Sequence, residues 1–141
     1  MRQLLLTGSH IYGQPTDQSD YDVVLLVSHE ELVFLADAAG VDLTAPPSKE
    51  WGVYDDSPNQ VALTFGRLNL IVLTNPAEFE GWVRGTLQCL DLITQKYKRG
   101  DGAIDPFGPA LRVSRDEAKA IMLRAVTESL AAALILPDYQ I

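Results

Sequence analysis

The stretch GSHIYGQPTDQSDYDVVLLV, residues 8–27, decides how the sequence is interpreted. It follows a short apolar run, residues 3–7, which is typical of a buried strand and stops at Gly8. Its first half is rich in Gly, Ser, Pro, Thr and Asp, a composition that favours a turn or loop. Residues 21–27 are dominated by Val and Leu and predict a second strand. The region therefore predicts a strand, a polar loop and a strand.

The polar residues of this stretch suit a site for a metal ion and a phosphate. Asp20 and Asp22 are two apart on an extended chain, so their carboxylates point to the same face. Mg²⁺ is normally bound by one or two carboxylates together with substrate phosphates and water. Gly8 allows a tight turn, Gly13 allows a close approach, and Ser9 presents a hydroxyl to a phosphate. The structural alternative is an ordinary Gly-Ser turn, with an Asp pair that only caps it.

Three helices are predicted from capping signals and apolar periodicity, over residues 29–39, 76–96 and 115–136. Each begins at a pair that can form a capping box, and these pairs are Ser28 with Glu31, Asn75 with Glu78, and Ser114 with Glu117. The second helix carries an apolar stripe that we expect to face the core, made of Phe79, Trp82, Val83, Leu87, Leu90 and Ile93. Cys89 lies off this stripe.

A β region separates the first two helices. Residues 61–65 alternate between apolar and polar or small side chains, and residues 68–73 return as an antiparallel partner. Gly66 and Arg67 fit the two-residue turn between them. Residues 51–54 form a further candidate strand.

The order of these elements predicts an α+β (α/β) domain, a mixed β-sheet of four to five strands flanked by helices. We place the core at residues 1–98 and a linker loop, rich in Gly and Pro, at residues 99–113. A C-terminal helix and tail at residues 114–141 would pack on the core or on a partner.

Composition limits the classes of function. The chain has 141 residues, of which 47% are hydrophobic, so disorder is excluded as its main state. The net charge of −8 argues against binding of extended nucleic acid, which usually needs a basic surface. The longest apolar run, residues 130–136, is too short to cross a bilayer, so we expect no membrane association. The single cysteine, Cys89, has no intramolecular disulfide partner, which favours the cytoplasm.

The stretch at residues 8–27 resembles the signature of the nucleotidyltransferase fold, the superfamily that includes DNA polymerase beta. It is most similar to the minimal nucleotidyltransferases, and the matching positions are Gly8, Ser9, Gly13, Asp20 and Asp22. The order of elements extends the likeness to about residue 95. The resemblance implies the nucleotidyltransferase fold, with Mg²⁺ or alternatively Mn²⁺ held by Asp20 and Asp22.

The same resemblance implies a reaction. A nucleoside monophosphate would move from a nucleoside triphosphate, such as ATP, to a protein, a small molecule or the end of a nucleic acid. The implied catalytic residues are Asp20, Asp22 and Asn69. The residues expected at the nucleotide are Gly8, Ser9, His10, Gly13, Ser19 and Arg67, although an exposed turn residue is the commoner role for an arginine such as Arg67.

Two departures from the family pattern weigh against full activity. The family usually carries a helix before the first strand, and this chain starts almost at the strand. Asn69 stands where the family has its third carboxylate. An amide adds no charge and cannot take a proton, so we expect weaker metal binding and weaker activation of the nucleophile. Asp55 or Asp56 could replace that carboxylate, although turn formation before Pro58 is their commoner role.

These departures leave two functions open. Nucleotidyl transfer is the favoured one. The alternative is a catalytically weakened, nucleotidyltransferase-like protein that acts as a binding or regulatory module, of an antitoxin-like or viral accessory kind. Either function leaves open a protein partner or a homodimer.

Overall fold

The computed structural model describes residues 3–43, 60–100 and 111–135. The candidate strand at residues 51–54, both Asp55 and Asp56, and most of the predicted linker lie outside these ranges. The elements in chain order are β1 (Gln3–Thr7), α1 (Ser9–Tyr12), β2 (Tyr21–Leu26), α2 (His29–Ala39), β3 (Gln60–Phe65), β4 (Leu68–Leu73), α3 (Pro76–Lys98) and α4 (Arg115–Ile135).

The four described strands form one mixed sheet in the order β1-β2-β4-β3. β2 runs antiparallel to β1 and parallel to β4, and β3 and β4 form an antiparallel hairpin. Gly66, with φ of 62°, begins the hairpin turn, because a positive φ favours glycine there. The strands predicted around residues 3–7, 21–27, 61–65 and 68–73, the hairpin and the mixed α+β sheet are therefore confirmed.

The two central strands, β2 and β4, are buried on both faces by helices. Val24 and Ile71 pack in the core beneath α3 and α4, whereas Val72 and Leu63 pack on the opposite face with Leu32 of α2. A strand covered on both faces needs apolar residues in succession rather than alternation. This explains why β2 and β4 are nearly continuous runs of Val, Leu and Ile.

All three helices begin where the sequence predicts, and two of the three predicted capping boxes are present. Ser28 and Glu31 form the expected capping box, and Gly40 ends α2 in the left-handed conformation with φ of 70°. Ser114 and Glu117 form the same reciprocal pair of hydrogen bonds at α4. The box predicted at α3 is wrong, because the side chain of Asn75 accepts a hydrogen bond from the amide of Ala77 instead.

Small residues form the contact between α3 and α4. A Cβ atom on Gly81 would lie 2.6 Å from Cα of Val126, and one on Gly85 would overlap Sδ of Met122. Cys89, one turn further along, is fully buried on the same side of α3. The prediction for α3 was therefore partly wrong. Its stripe of large residues includes Leu87 and Leu90, which are 58% and 37% exposed, and it omitted Cys89.

α4 packs against α3, so the C-terminal helix lies on the core over its described length. The boundaries proposed for core, linker and tail stay predictions. Within the described residues, no helix is both long enough and apolar enough to cross a membrane.

Candidate functional site

A cavity of about 670 Å³ opens where β1 ends, beside β2 and β4 and below the first turns of α4. Its volume lies within the usual range for small-molecule sites. The residues of the sequence-predicted site that line it are Gly8, Ser9, Gly13, Ser19, Asp20, Asp22 and Asn69. Seven of the nine predicted residues therefore share one cavity, and the two aspartates are among them.

Asp22 lies at the centre of this site because of the strand register. In the sheet it is paired with Thr7 of β1 on one side and with Asn69 of β4 on the other. Nδ2 of Asn69 donates a hydrogen bond to Oδ1 of Asp22 over 3.2 Å. The other carboxylate oxygen, Oδ2, receives no hydrogen bond from the described residues. Asp22 is 9% exposed, so the fold holds a buried carboxylate with one free oxygen at the cavity.

The surroundings of Asp22 disfavour its charge. Burial raises the pKa of the Asp22 carboxyl, and the neighbouring Asp20 raises it further. The hydrogen bond from Asn69 and the nearby His10 oppose this shift. A cation bound between the two carboxylates would offset both unfavourable effects.

Gly8 provides the space that Asp22 occupies. Its φ is 84°, and a Cβ atom at this position would overlap the carboxylate of Asp22. Glycine is therefore required here for two reasons, a backbone conformation that other residues rarely adopt and a close approach. The predicted loop after Gly8 differs in part, because Ser9–Tyr12 form the short helix α1, whose Ile11 and Tyr12 amides donate to the Gly8 carbonyl.

Buried hydroxyl groups join this end of β1 to the helices. The side-chain oxygens of Thr7 and Thr86 are 2.8 Å apart and share a hydrogen bond between β1 and α3. Burial raises the pKa of the Tyr12 hydroxyl, and the nearby Thr7 side chain opposes that shift. These contacts fix the end of β1, and with it the position of Gly8 beside Asp22.

The donor set suits a divalent cation that arrives with a phosphate ligand. Asp20 and Asp22 supply two carboxylates, and Mg²⁺ needs one or two when phosphate and water complete its coordination. In the described part of the chain, no group of three or more acids, histidines or cysteines could hold a metal alone. The residues therefore fit a cation shared with a ligand rather than a closed protein site.

His10 and Arg67, both predicted at the nucleotide, are placed outside the cavity lining. Nε2 of His10 lies 3.2 Å from the Ser19 carbonyl oxygen, and the Arg67 guanidinium donates to the same oxygen over 2.8 Å. The His10 ring stacks on Tyr21 at 4.0 Å, and Arg67 lies 5.6 Å from the centre of the Tyr21 ring. Both residues hold the backbone immediately before Asp20, so their contact with a nucleotide stays a prediction.

Two basic residues that the sequence reasoning missed also line the cavity. Arg115 and Lys119 lie on the first turns of α4, facing the same cavity as Asp20 and Asp22. Their spacing of four places them on one side of a helix. The signal available in the sequence was this spacing of two basic residues, directly after the helix cap at Ser114. Nothing in the sequence indicated that this helix returns to the aspartates.

Comparison of the chain with protein-family models, with curated proteins and with solved structures gives no match.

Proposed function

We propose that this protein has the nucleotidyltransferase fold and that its cavity binds a nucleoside triphosphate with Mg²⁺ or Mn²⁺ for nucleotidyl transfer. The observation that carries the proposal is the shared cavity of Asp20 and Asp22, with Gly8 packed against the Asp22 carboxylate. Paired carboxylates and a close backbone approach are what a cation–phosphate ligand needs.

The reaction is displacement at the α-phosphorus. The oxygen of the acceptor hydroxyl bonds to that phosphorus, the bond to the β-phosphate oxygen breaks, and pyrophosphate leaves while the acceptor proton passes to water. A divalent cation supplies charge stabilisation for this step when it is bound. Asp20 and Asp22 would hold the cation, and Gly8 and Ser9 would border the phosphate. Cytoplasmic location and the nature of the acceptor stay predictions.

A second candidate, a nucleotide-binding module with little or no turnover, is favoured by Asn69. It lies beside Asp22 in the sheet, where a third carboxylate would face the same ligand, and it occupies one Asp22 oxygen. Replacing a negative ligand by an amide weakens attraction for the cation and removes a proton acceptor. We therefore expect slow transfer, and we propose that a module without turnover would act by binding a protein partner.

The test measures nucleotide binding and pyrophosphate release with each of the four ribonucleoside triphosphates, in Mg²⁺ and in Mn²⁺. Metal-dependent binding is expected for the wild type and for Asp17→Asn, a control in the exposed loop. It should be lost in the double variant Asp20→Asn with Asp22→Asn. Asn69→Asp is expected to raise pyrophosphate release at least tenfold.

The outcomes separate the two candidates. Absence of metal-dependent nucleotide binding in the wild type rejects both. Binding without pyrophosphate release, in the wild type and in Asn69→Asp alike, leaves the binding module. Release that depends on Asp22 and rises in Asn69→Asp identifies a transferase slowed by its amide.

A further inference from the structure

We infer that Arg115 and Lys119 of α4 form the site for the β- and γ-phosphates of the ligand, and that they make the cavity select a triphosphate over a monophosphate. This inference rests on the proposed function, because it assigns the far end of the same ligand. It also moves the phosphate site away from Arg67, the basic residue expected there from the sequence.

The charges around the cavity are arranged in two separate groups. The charged residues in its described lining are Asp20 and Asp22 on the sheet side and Arg115 and Lys119 on α4. A ligand that pairs with both groups needs an anionic part beside Arg115 and Lys119. It also needs a bound cation beside Asp20 and Asp22. A polyphosphate chain carrying a divalent cation has this distribution, whereas a single phosphate offers one anionic group for both sides of the cavity.

Neither basic residue has an ion-pair partner among the described residues. Other basic side chains beside α4 have partners, such as Lys96 with Glu117 at 3.5 Å and Arg84 with Glu128 at 3.8 Å. Arg115 and Lys119 have no salt bridge or hydrogen bond with the described residues. A basic residue in the first turn of a helix is also unfavourable with respect to the helix dipole. Two unpaired cations in this position are therefore more consistent with a ligand than with stability.

The overall charge of the protein makes local cations necessary. At −8 the chain repels phosphate at long range, and salt screens that repulsion beyond about 8 Å. Within the cavity, two cations balance two carboxylates.

The test is calorimetric titration of the full chain, in Mg²⁺, with AMP, ADP, ATP and inorganic tripolyphosphate. Wild-type affinity should increase from AMP to ADP to ATP. The double variant Arg115→Gln with Lys119→Gln should bind ATP and tripolyphosphate at least about tenfold more weakly, as loss of charge-assisted contacts predicts, while AMP binding changes little. Arg124→Gln, an exposed residue of the same helix, is the matched control and should bind as the wild type does.

The possible results distinguish this inference from the proposed function. Equal ATP affinity in the wild type and the double variant overturns the phosphate assignment while nucleotide binding stands. Tripolyphosphate binding that depends on Arg115 and Lys119, without any nucleotide binding, keeps the phosphate site and overturns the nucleotide function. The thermal unfolding midpoint of the double variant should match the wild type, because neither side chain forms a salt bridge or a hydrogen bond with the described residues. A lower midpoint would contradict that premise.

Discussion

The cavity has two walls that are built in different ways. In the sheet wall, Asp22 is positioned by strand register between Thr7 and Asn69, and Gly8 leaves the space for its carboxylate. In the helix wall, Arg115 and Lys119 are positioned because α4 packs closely on α3 at Gly81 and Gly85. The sheet wall follows mainly from local pattern and pairing. The helix wall depends on one close contact between segments that are far apart in sequence.

This difference has a consequence for stability and function. Changes in the sheet wall should alter binding of the cation while the fold persists, because the buried charge of Asp22 does not stabilise the folded protein. Changes at the contact between α3 and α4 should displace a whole helix and, with it, both basic residues. Substitutions in each wall therefore test whether cation binding and stability respond separately.

The largest loss of stability is expected for Gly81→Val. Its Cβ would lie 2.6 Å from the Cα of Val126, and backbone cannot yield as a flexible side chain does. Overpacking of this kind should lower the free energy of unfolding by about 3 kcal/mol, measured by urea denaturation. Glu80→Val, at an exposed position of the same helix, controls for helix propensity and should cost less than about 1 kcal/mol. Equal losses in the two variants would contradict the close contact.

Cys89 reports on the same contact by its reactivity. Burial raises the pKa of its thiol from 9.0 to about 11, so the thiolate fraction near pH 8 falls about 100-fold below that of an ordinary cysteine. Labelling by a thiol reagent should be correspondingly slow in the folded protein and fast in urea. Because the folded pKa is raised, the contribution of Cys89 to stability should be lost as pH rises from 9 through about 11. Fast labelling of the native protein at pH 8 would show that α4 does not cover this residue.

In the sheet wall, Asp22→Asn should stabilise the protein in the absence of divalent cations, by about 1–2 kcal/mol at pH 7. Because burial raises the pKa of Asp22, the wild type loses stability as pH rises from the ordinary carboxyl range through the raised value. The variant has no such loss, so its advantage should be absent near pH 3 and present at pH 7. Denaturation at both pH values measures this. Asp17→Asn is the exposed control. If Asp22→Asn destabilised the protein at pH 7, the ionised Asp22 carboxylate could not be unfavourable to the fold.

The smallest effect is expected at the helix caps. Ser114→Ala lies beside the cavity and Ser28→Ala on the opposite face of the sheet. Each removes the side-chain oxygen that accepts a hydrogen bond from the amide of the glutamate three residues further on. Each should lower the free energy of unfolding by about 1 kcal/mol in chemical denaturation. Because caps are local, the two losses should agree within about 0.5 kcal/mol. A much larger loss for Ser114→Ala would mean that the start of α4 carries stability beyond its own cap.

The parts of this structure that follow from short-range pattern could be predicted from the sequence. The strand from Gln3 to Thr7 and the hairpin at Gly66 and Arg67 depend on residues within a few positions of each other. The same holds for the capping boxes at Ser28 and Ser114. The two aspartates line one cavity because side chains two apart on an extended chain share a face.

The remaining features depend on packing between distant segments. Cys89 was assigned to the wrong side of α3 because the contact with α4 is made by small residues, which apolar periodicity does not register. His10 and Arg67 lie near the site in sequence, but their side chains turn to the Ser19 carbonyl and Tyr21. Arg115 and Lys119 line the cavity because α4 packs on α3, a contact between segments that are distant in sequence.

The most direct test of the account is a crystal structure of the wild-type protein with Mn²⁺ and a non-hydrolysable nucleoside triphosphate. The account predicts an anomalous peak within ligand distance of carboxylate oxygens of Asp20 and Asp22, with the terminal phosphates directed to Arg115 and Lys119. A peak at other residues, or a nucleotide bound outside this cavity, would contradict it.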